Sequence, residues 1–445
     1  MKVVLIQPNN EKGNDSTSHP HAGLAYLGAY ALKKGHETIA IDAKYEKIVN
    51  NELIEKIFQI RPDLLGITMK TPDVKEAEKI AVTIKKSTLQ TKIIIGGAHV
   101  TGLQERVLEE GKSFDIGVIS EGDVTFCELL DYFKDRGYPQ LNNIKGIVYR
   151  NNGNIFKTGL RDYIRDLDSL PFPAWQLFPR GSDLPLFTSR GCPFSCIFCQ
   201  RVMGQKVRRM SPQRVIAEIK RNINDFKTRF FQIEDEVFGL DRKWIHNVLD
   251  LIFKEGLNKE VRWFANSRVN IADLEIYRKM KAAGCIGLGF GIESGNQKIL
   301  DTISKSITLE QAVIAIKLAK KAGLRTNTFF ILGHPNETKK TVKDTVKFAS
   351  KLNPHTVCFG MMIPYPGTRI YEMAQKGEGA YVGFHEDWQA YTKYFGKGLE
   401  LKGLKRSILE WYQKKAYLEF YLRNLRFVDL FRHMNAYLKR KHLFT

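Results

Sequence analysis

The sequence predicts an α/β protein: an N-terminal doubly wound, Rossmann-like domain, then an open, partial (β/α)6 barrel with a mainly helical C-terminal extension. Three observations predict it. Short apolar runs alternate with helical patterns along most of the 445 residues, as parallel strands covered by helices require. A proline-punctuated stretch, Asp166-Leu-Asp-Ser-Leu-Pro-Phe-Pro-Ala-Trp175, divides two such series. Beyond the second series the pattern turns into long amphipathic helices. A chain of this length should hold two or more domains with sizeable cores. The expected divisions are 1–150, a linker 151–184, a core 185–376 and a C-terminal part 377–445.

Met1-Lys-Val-Val-Leu-Ile-Gln7 is an apolar strand at the very start, leaving no room for a signal peptide. Strand-like runs recur at 37–42, 63–68, 91–96 and 115–119, with helical patterns at 22–34, 51–59, 73–86, 101–111 and 123–136. Five such units make a doubly wound domain whose ligand belongs at the carboxyl ends of the strands. The loops lining that crevice are Pro8 to Pro20, Met69 to Pro72, Gly96 to Thr101 and Ser120 to Asp123. Gly96-Gly97-Ala98-His99 is not a dinucleotide fingerprint, because G-x-G-x-x-G is absent and the glycines follow the fourth strand rather than the first.

In the core, apolar runs at 185–188, 230–234, 261–265, 286–290, 325–331 and 356–362 alternate with helical patterns at 212–224, 241–255, 272–282, 308–322, 338–351 and 368–375. Six units fall short of an eight-stranded barrel, hence the open form. Thr308 is an N-cap with Gln311 at the capping-box position, and Gly323 stops that helix.

The most specific feature is Thr188-Ser-Arg-Gly-Cys-Pro-Phe-Ser-Cys-Ile-Phe-Cys-Gln200. With six cysteines in the chain, a C-x3-C-x2-C arrangement arises by chance about once in a thousand such sequences. Three thiolates on a tight loop can hold a [4Fe–4S] cluster with one iron left open. The alternative is a zinc loop that recruits Cys285 or His334 as its fourth ligand.

Cys192, Cys196 and Cys199, with Phe198 before the last cysteine, resemble the signature of the radical S-adenosylmethionine (SAM) superfamily. Later segments match the same family in order. Gln232-Ile-Glu-Asp-Glu-Val-Phe238 resembles the acidic end of its second strand, which implies Asp235 and Glu236 at the SAM amino group. Ala265-Asn-Ser-Arg-Val269 resembles the third, with Arg268 at the SAM carboxylate. Gly291-Ile-Glu-Ser-Gly295 resembles the ribose-binding fourth, offering Glu293 and Ser294. Phe329-Phe-Ile-Leu-Gly-His-Pro335 and Ile363-Pro-Tyr-Pro-Gly-Thr368 resemble the fifth and sixth, placing Leu332 and Pro364 at the ligand. Taken singly, the acids also read as a solvated strand end and Arg268 as an ordinary ion-pair partner. The resemblance implies that SAM chelates the open iron and that an external electron donor of the flavodoxin or ferredoxin kind reduces the cluster. A 5′-deoxyadenosyl radical is released.

His21-Ala-Gly-Leu-Ala-Tyr-Leu27, Gly35-His-Glu37, Gly96-Gly-Ala-His-Val-Thr101 and Glu121-Gly122 resemble the cobalamin-binding domain fused ahead of many radical SAM cores. The resemblance implies cobalamin contacts at Gly23, Leu24, Thr68, Met69, Lys70, Thr71, Gly96, Gly97, His99, Glu121 and Gly122. The D-x-H-x-x-G motif that supplies a lower histidine ligand in other cobalamin proteins does not occur here. The expected state is therefore base-off, with the cobalt above Met69, Lys70 or Thr71. This family implies a methyltransferase that moves a methyl group from methylcobalamin to a substrate carbon, the substrate being a small molecule or a peptide. A cyclase or ring-rearranging enzyme with the same cofactors, or a regulator without turnover, are the other readings. A methylthiotransferase needs a second cluster, and residues 1–150 hold only Cys127.

The formal net charge of +21, from 69 Lys and Arg against 48 Asp and Glu, suits acidic partners. No nucleic-acid recognition module is present. No apolar run reaches the length of a membrane span. Cys127, Cys285 and Cys358 read as reduced core thiols, which with the cluster points to the cytoplasm. The basic bias peaks from Lys402 to Thr445, with 11 Lys and Arg against 3 Asp and Glu. Leu409, Tyr412, Ala416 and Phe420 form one stripe there and Phe427, Leu430 and Phe431 another, reading as a cap on the barrel or as a basic membrane-surface helix. Phe384, Trp388, Tyr391 and Tyr394 read as packing residues of that cap.

Overall fold

A computed structural model describes residues 1–10, 17–88, 90–135, 140–181, 183–391 and 399–441. The chain forms two compact units: Met1–Ser182 with Gln200–Gly204 and Tyr365–Gly367, and the remainder. In the first unit β1 (Lys2–Gln7), β2 (Glu37–Asp42), β3 (Leu64–Thr68), β4 (Lys92–Gly96) and β5 (Ile116–Val118) run parallel. Their order is β2-β1-β3-β4-β5, so the winding reverses between β1 and β3 and opens a crevice at their carboxyl ends. Val3, Val4, Leu5, Ile6, Leu65 and Ile93 are buried on both faces of this sheet, which explains the continuous apolar runs.

Two strands were not foreseen. β6 (Ile147–Asn151) and β7 (Asn154–Lys157) extend the sheet antiparallel, although residues 151–157 read as the start of a linker. They are joined by the turn at Asn152-Gly153, the usual two-residue hairpin chemistry, which was present in the sequence and overlooked. The helical pattern at 101–111 is also broken. Two short helices, Ala98–Leu103 and Arg106–Glu110, meet at Gln104, whose φ of 54° interrupts the helix.

The second unit is built on six parallel strands in sequential order: β8 (Asp183–Leu186), then, after the two-residue ribbon β9 (Ser189–Arg190) and β10 (Arg208–Arg209), β11 (Phe230–Ile233), β12 (Arg262–Ser267), β13 (Cys285–Glu293), β14 (Arg325–Leu332) and β15 (Thr356–Met361). Among the described residues β8 and β15 are the edge strands, each paired on one side, so the sheet is an open barrel wall. Each strand feeds a helix with a capped start. Thr308 accepts from Gln311 N while the Gln311 side chain takes Thr308 N, the expected capping box, which is worth about 1 kcal/mol. The short helix Gln297–Thr302 after β13 was not predicted, being too brief to show a period.

The C-terminal part adds a hairpin, β16 (Tyr381–Phe384) with β17 (Leu399–Leu401), and the helices Arg406–Arg423 and Phe427–Lys441. Leu409 and Tyr412 pack with Leu332, Met361 and Tyr381 in one core cluster, and Ala416 and Phe420 are fully buried, so the first tail helix is a cap. Trp388 and Tyr391 are buried and meet edge to face at 5.2 Å, and Phe384 packs edge-on against Tyr371 at 5.5 Å. Tyr394 lies outside the described residues. The second tail helix differs: Phe427 and Phe431 are each more than half exposed. No helix among the described residues is long and apolar enough to cross a membrane.

Candidate active site

The carboxyl ends of the six barrel strands gather most of the residues singled out in the core. The cysteine loop leaves β9 and is pinned at three points. Ile197 N donates to Ile303 O, Ile370 N donates to Ile197 O, and Cys199 N closes a turn on Cys196 O, each at 3.2 Å. These bonds fix the backbone, so the thiols project from a rigid turn. Cys196 is buried, Cys192 half-buried and Cys199 exposed. Burial pushes the Cys192 thiol up, against the pull of Phe194 N–H and Arg268. Burial, and then Cys196 and Cys192, push Cys199 up to about 11. The Cys192 and Cys199 thiols are thus biased to the protonated form, and a metal that binds them displaces the protons.

Arg268, just after β12, lies over Phe194 with its guanidinium carbon 3.5 Å from the ring centroid. Its Nη1 is 3.8 Å from Cys196 Sγ, its Nε donates to Asn270 Oδ1 at 3.3 Å, and its Nη2 donates to Lys305 O. Lys305 was missed in the sequence, since nothing distinguishes it from the chain's other lysines. It is buried and ion-paired with Glu293 Oε1 at 2.8 Å, and its Nζ stands 5.7 Å from the Phe198 ring centroid. Glu293 sits at φ 72°, after a register shift in β13. Gly291 makes the pair possible, because a Cβ there would lie 2.4 Å from Glu293 Oε1 and 3.1 Å from Lys305 Nζ.

Other expected ligand contacts turn elsewhere. Asp235 accepts from Thr188 N, Thr188 Oγ1, Ser189 N and Ser189 Oγ at 2.5–3.1 Å. Four donors saturate a carboxylate, so Asp235 ties the ends of β8 and β11 together and has no lone pair left for an amino group. Burial nevertheless pushes its carboxyl up to about 6. Glu236 is exposed and its Oε2 accepts from Gly191 N at 3.2 Å, so it is the more open of the two acids. Ser294 is fully buried, 3.2 Å from Thr345 Oγ1 and accepting from Asn296 N, which turns it away from the mouth. Leu332 is core, its carbonyl taken by Met362 N at 2.7 Å, and Pro364 is buried. Cys285, offered as a fourth zinc ligand, begins β13 at the opposite end of the strand from the mouth. His334 Nε2 meets Glu293 O at 3.2 Å, and burial holds its imidazole down to about 4; a neutral ring donating to a carbonyl carries its proton on Nε2.

Glu337 is a further residue that sequence reasoning passed over. It is buried, and its Oε2 accepts from Gly333 N at 2.5 Å and His334 N at 3.2 Å, shaping the turn after β14. Burial pushes its carboxyl from 4.5 up to about 8. The folded state then binds a proton that the unfolded state releases, so its contribution is complete below pH 4.5 and is lost as pH rises to about 8. Glu337→Gln is expected to remove a stability slope of at most about 1.4 kcal/mol per pH unit. Melting curves from pH 5 to 9 check this; parallel curves for the two proteins would refute it.

In the first unit, Leu5, Leu24, Leu27, Gly66, Gly96 and Gly97 are among the residues lining a small crevice of about 80 Å³ at the β3–β5 ends. Thr68, Ser120 and Gly122 line it too. Gly97 has φ 105°, and a Cβ on it would lie 2.6 Å from Met69 O, so only glycine lets the two loops touch. Gly23 and Lys70 are exposed. The remaining candidates face inward. Met69 and Thr71 are 1% exposed, and His99 is fully buried with Nδ1 3.2 Å from Thr71 Oγ1. Glu121 accepts from Ile164 N at 2.9 Å, anchoring the stretch after the sheet. Beneath the 70–73 loop lies a buried ion pair that was not foreseen: Lys44 Nζ to Asp73 Oδ1 at 2.7 Å. Asp42 accepts from His21 N, Lys44 N and Tyr45 N beside it.

Two family models match the chain: the radical SAM superfamily over residues 186–349 and the B12 binding domain over residues 14–130. An uncharacterised methyltransferase of Pyrococcus horikoshii is 34% identical, over 99% of this chain and 97% of its own length. An anaerobic magnesium-protoporphyrin IX monomethyl ester cyclase of Cereibacter sphaeroides is 28% identical, over 94% of this chain and 72% of its own. The structure of TsrM, a radical S-adenosylmethionine methyltransferase of Kitasatospora setae with tryptophan substrate and a SAM analogue bound, matches with a TM-score of 0.73. It does so at 18% identity, over 95% of this chain and 88% of that one, a likeness of fold. The chain belongs to the radical SAM superfamily, among the members that carry a B12-binding domain ahead of the radical SAM core. It is a cobalamin-dependent radical SAM enzyme, and its cofactors are a [4Fe–4S] cluster, SAM and cobalamin.

Proposed function

We propose that this enzyme transfers a methyl group from methylcobalamin to an unactivated carbon of a small-molecule or peptide substrate. When bound, the cluster with SAM supplies the radical that takes the substrate hydrogen, and cobalamin supplies the methyl group. Cys192, Cys196 and Cys199 would hold the cluster. Glu236 would meet the SAM amino group, and Phe198 with the buried Lys305–Glu293 pair would wall the SAM pocket. The glycine-lined crevice around Gly66, Gly96 and Gly97 would receive cobalamin, with exposed Lys70 on the loop that follows β3. The observation that carries the reading is the three-thiol loop at the mouth of one parallel sheet, in a chain whose other parallel sheet ends in that crevice.

The full-length likeness to a methyltransferase favours methyl transfer, and the likeness to the cyclase keeps cyclisation as the second reading. The anaerobically reconstituted protein, loaded with cobalamin and reduced, should convert SAM to S-adenosylhomocysteine and give a methylcobalamin spectrum without any substrate. If 5′-deoxyadenosine forms and S-adenosylhomocysteine does not, the methyl-transfer reading fails and the cyclase reading stands.

The tail supports a second, separate part of this proposal. Leu425, Phe427, Val428, Phe431 and Met434 are each more than half exposed, on a segment with 11 Lys and Arg against 3 Asp and Glu. Two copies of so basic a face repel each other, whereas an anionic lipid surface attracts it and accepts the apolar side chains. We expect the full-length protein to sediment with vesicles containing phosphatidylserine and to be released by raised salt. Protein left in the supernatant at low salt would dismiss the contact.

A further inference from the structure

The sequence pattern puts Arg268 at the SAM carboxylate, but its geometry directs it to the cluster's own ligands. Arg268 is 5% exposed, and its guanidinium carbon lies 3.5 Å over the ring of Phe194, the residue midway between Cys192 and Cys196. Asn270 Oδ1 fixes one edge and Lys305 O another, and the remaining nitrogen, Nη1, is 3.8 Å from Cys196 Sγ. Three elements therefore hold one orientation: the β12 end, the Phe194 ring and the Lys305 loop. An arginine so clamped is not free to swing toward a carboxylate arriving from solvent.

We propose that Arg268 is a positioning residue for electron transfer: through Nη1 to Cys196 Sγ it stabilises the reduced state of the cluster. The inference rests on the cluster assignment above. One-electron reduction by an external flavodoxin- or ferredoxin-type donor adds one negative charge to the iron–sulfur core, with no bond broken at the thiolates. A fixed cation hydrogen-bonded to a ligand sulfur favours the more negative state, and hydrogen bonds to sulfur are one of the levers that set cluster potentials. The stacked ring adds specificity, because a planar guanidinium lies flat on it where an ammonium does not.

The test is an EPR-monitored redox titration of the reconstituted full-length protein in the absence of SAM. In Arg268→Gln the ratio of reduced to oxidised cluster at a fixed potential should fall at least about tenfold, equivalent to about 59 mV for one electron. Arg268→Lys, which keeps the charge and loses the planar stack, should fall between the two. An unchanged SAM-free potential in Arg268→Gln, with weakened SAM binding, would overturn the proposal and restore the carboxylate role. Should Arg268→Gln hold no iron, Phe194→Leu decides. It leaves the charge and removes the ring, and a shift in the same direction supports the proposal, while an unmoved potential refutes it. Absence of iron from the unaltered protein would instead sink the cluster assignment.

Discussion

Replacement of Cys196 by serine is expected to abolish iron binding and, with it, all formation of 5′-deoxyadenosine from SAM. The loop that carries Cys196 is fixed by the Ile197–Ile303 and Ile370–Ile197 bonds, so no neighbouring thiol can move in to substitute. Cys127, Cys285 and Cys358, the other three free cysteines, lie elsewhere in the fold, Cys285 at the far end of β13. Two thiolates and an alkoxide-poor serine leave the cluster an iron without a ligand, and cluster and activity should fall together to background. Cys285→Ser is the control. Cys285 is buried and donates to Gly287 O at 3.4 Å, so its loss should cost stability and spare iron. Iron and acid-labile sulfide assays with product chromatography check both variants. A Cys196→Ser protein that keeps its full iron content would remove the cysteine loop from the site.

The second large effect is expected at Lys44→Met. Lys44 and Asp73 are 2.7 Å apart with side chains 3% and 0% exposed. Removing one partner strands the other charge in the interior, which costs about 3–5 kcal/mol. Asp73 also accepts from Lys70 N at 3.2 Å and precedes the helix Val74–Ser87, so the loop between β3 and that helix should loosen as well. Spread over a first unit of about 150–250 residues, such a loss lowers the melting temperature by roughly 10 °C. Cobalamin affinity should fall with it, because Thr68, at the start of that loop, lines the crevice. The double variant Lys44→Met with Asp73→Asn, which leaves no stranded charge, should recover part of the stability. A single variant that melts within about 1 °C of the original would show that the pair is dispensable.

The parallel architecture was legible because its physics is local and repetitive. Apolar runs such as Lys2–Gln7 and Leu64–Thr68 recur at the spacing of βα units, and burial on both faces leaves no other reading. Caps were legible for the same reason: Thr308 and Gln311 sit three residues apart and bond as that spacing implies. What escaped was either too short to show a period, such as Gln297–Thr302, or hidden in a stretch that read as connection, such as the β6–β7 hairpin. The break at Gln104 escaped because glutamine carries no signal for a left-handed backbone.

The sequence by itself determined the order of the two sheets, the three-cysteine loop and the strand ends on which the site is assembled, because each follows from residue spacing along one segment. The tertiary structure decided which side chains at those ends keep a free atom. Asp235 is consumed by Thr188 and Ser189 and Ser294 is tied to Thr345, while Lys305 enters beside Glu293 and Arg268 turns to Cys196. A polar atom's availability depends on partners brought from up to 72 residues away, as Arg268 and Cys196 show, and a one-dimensional pattern does not carry that distance.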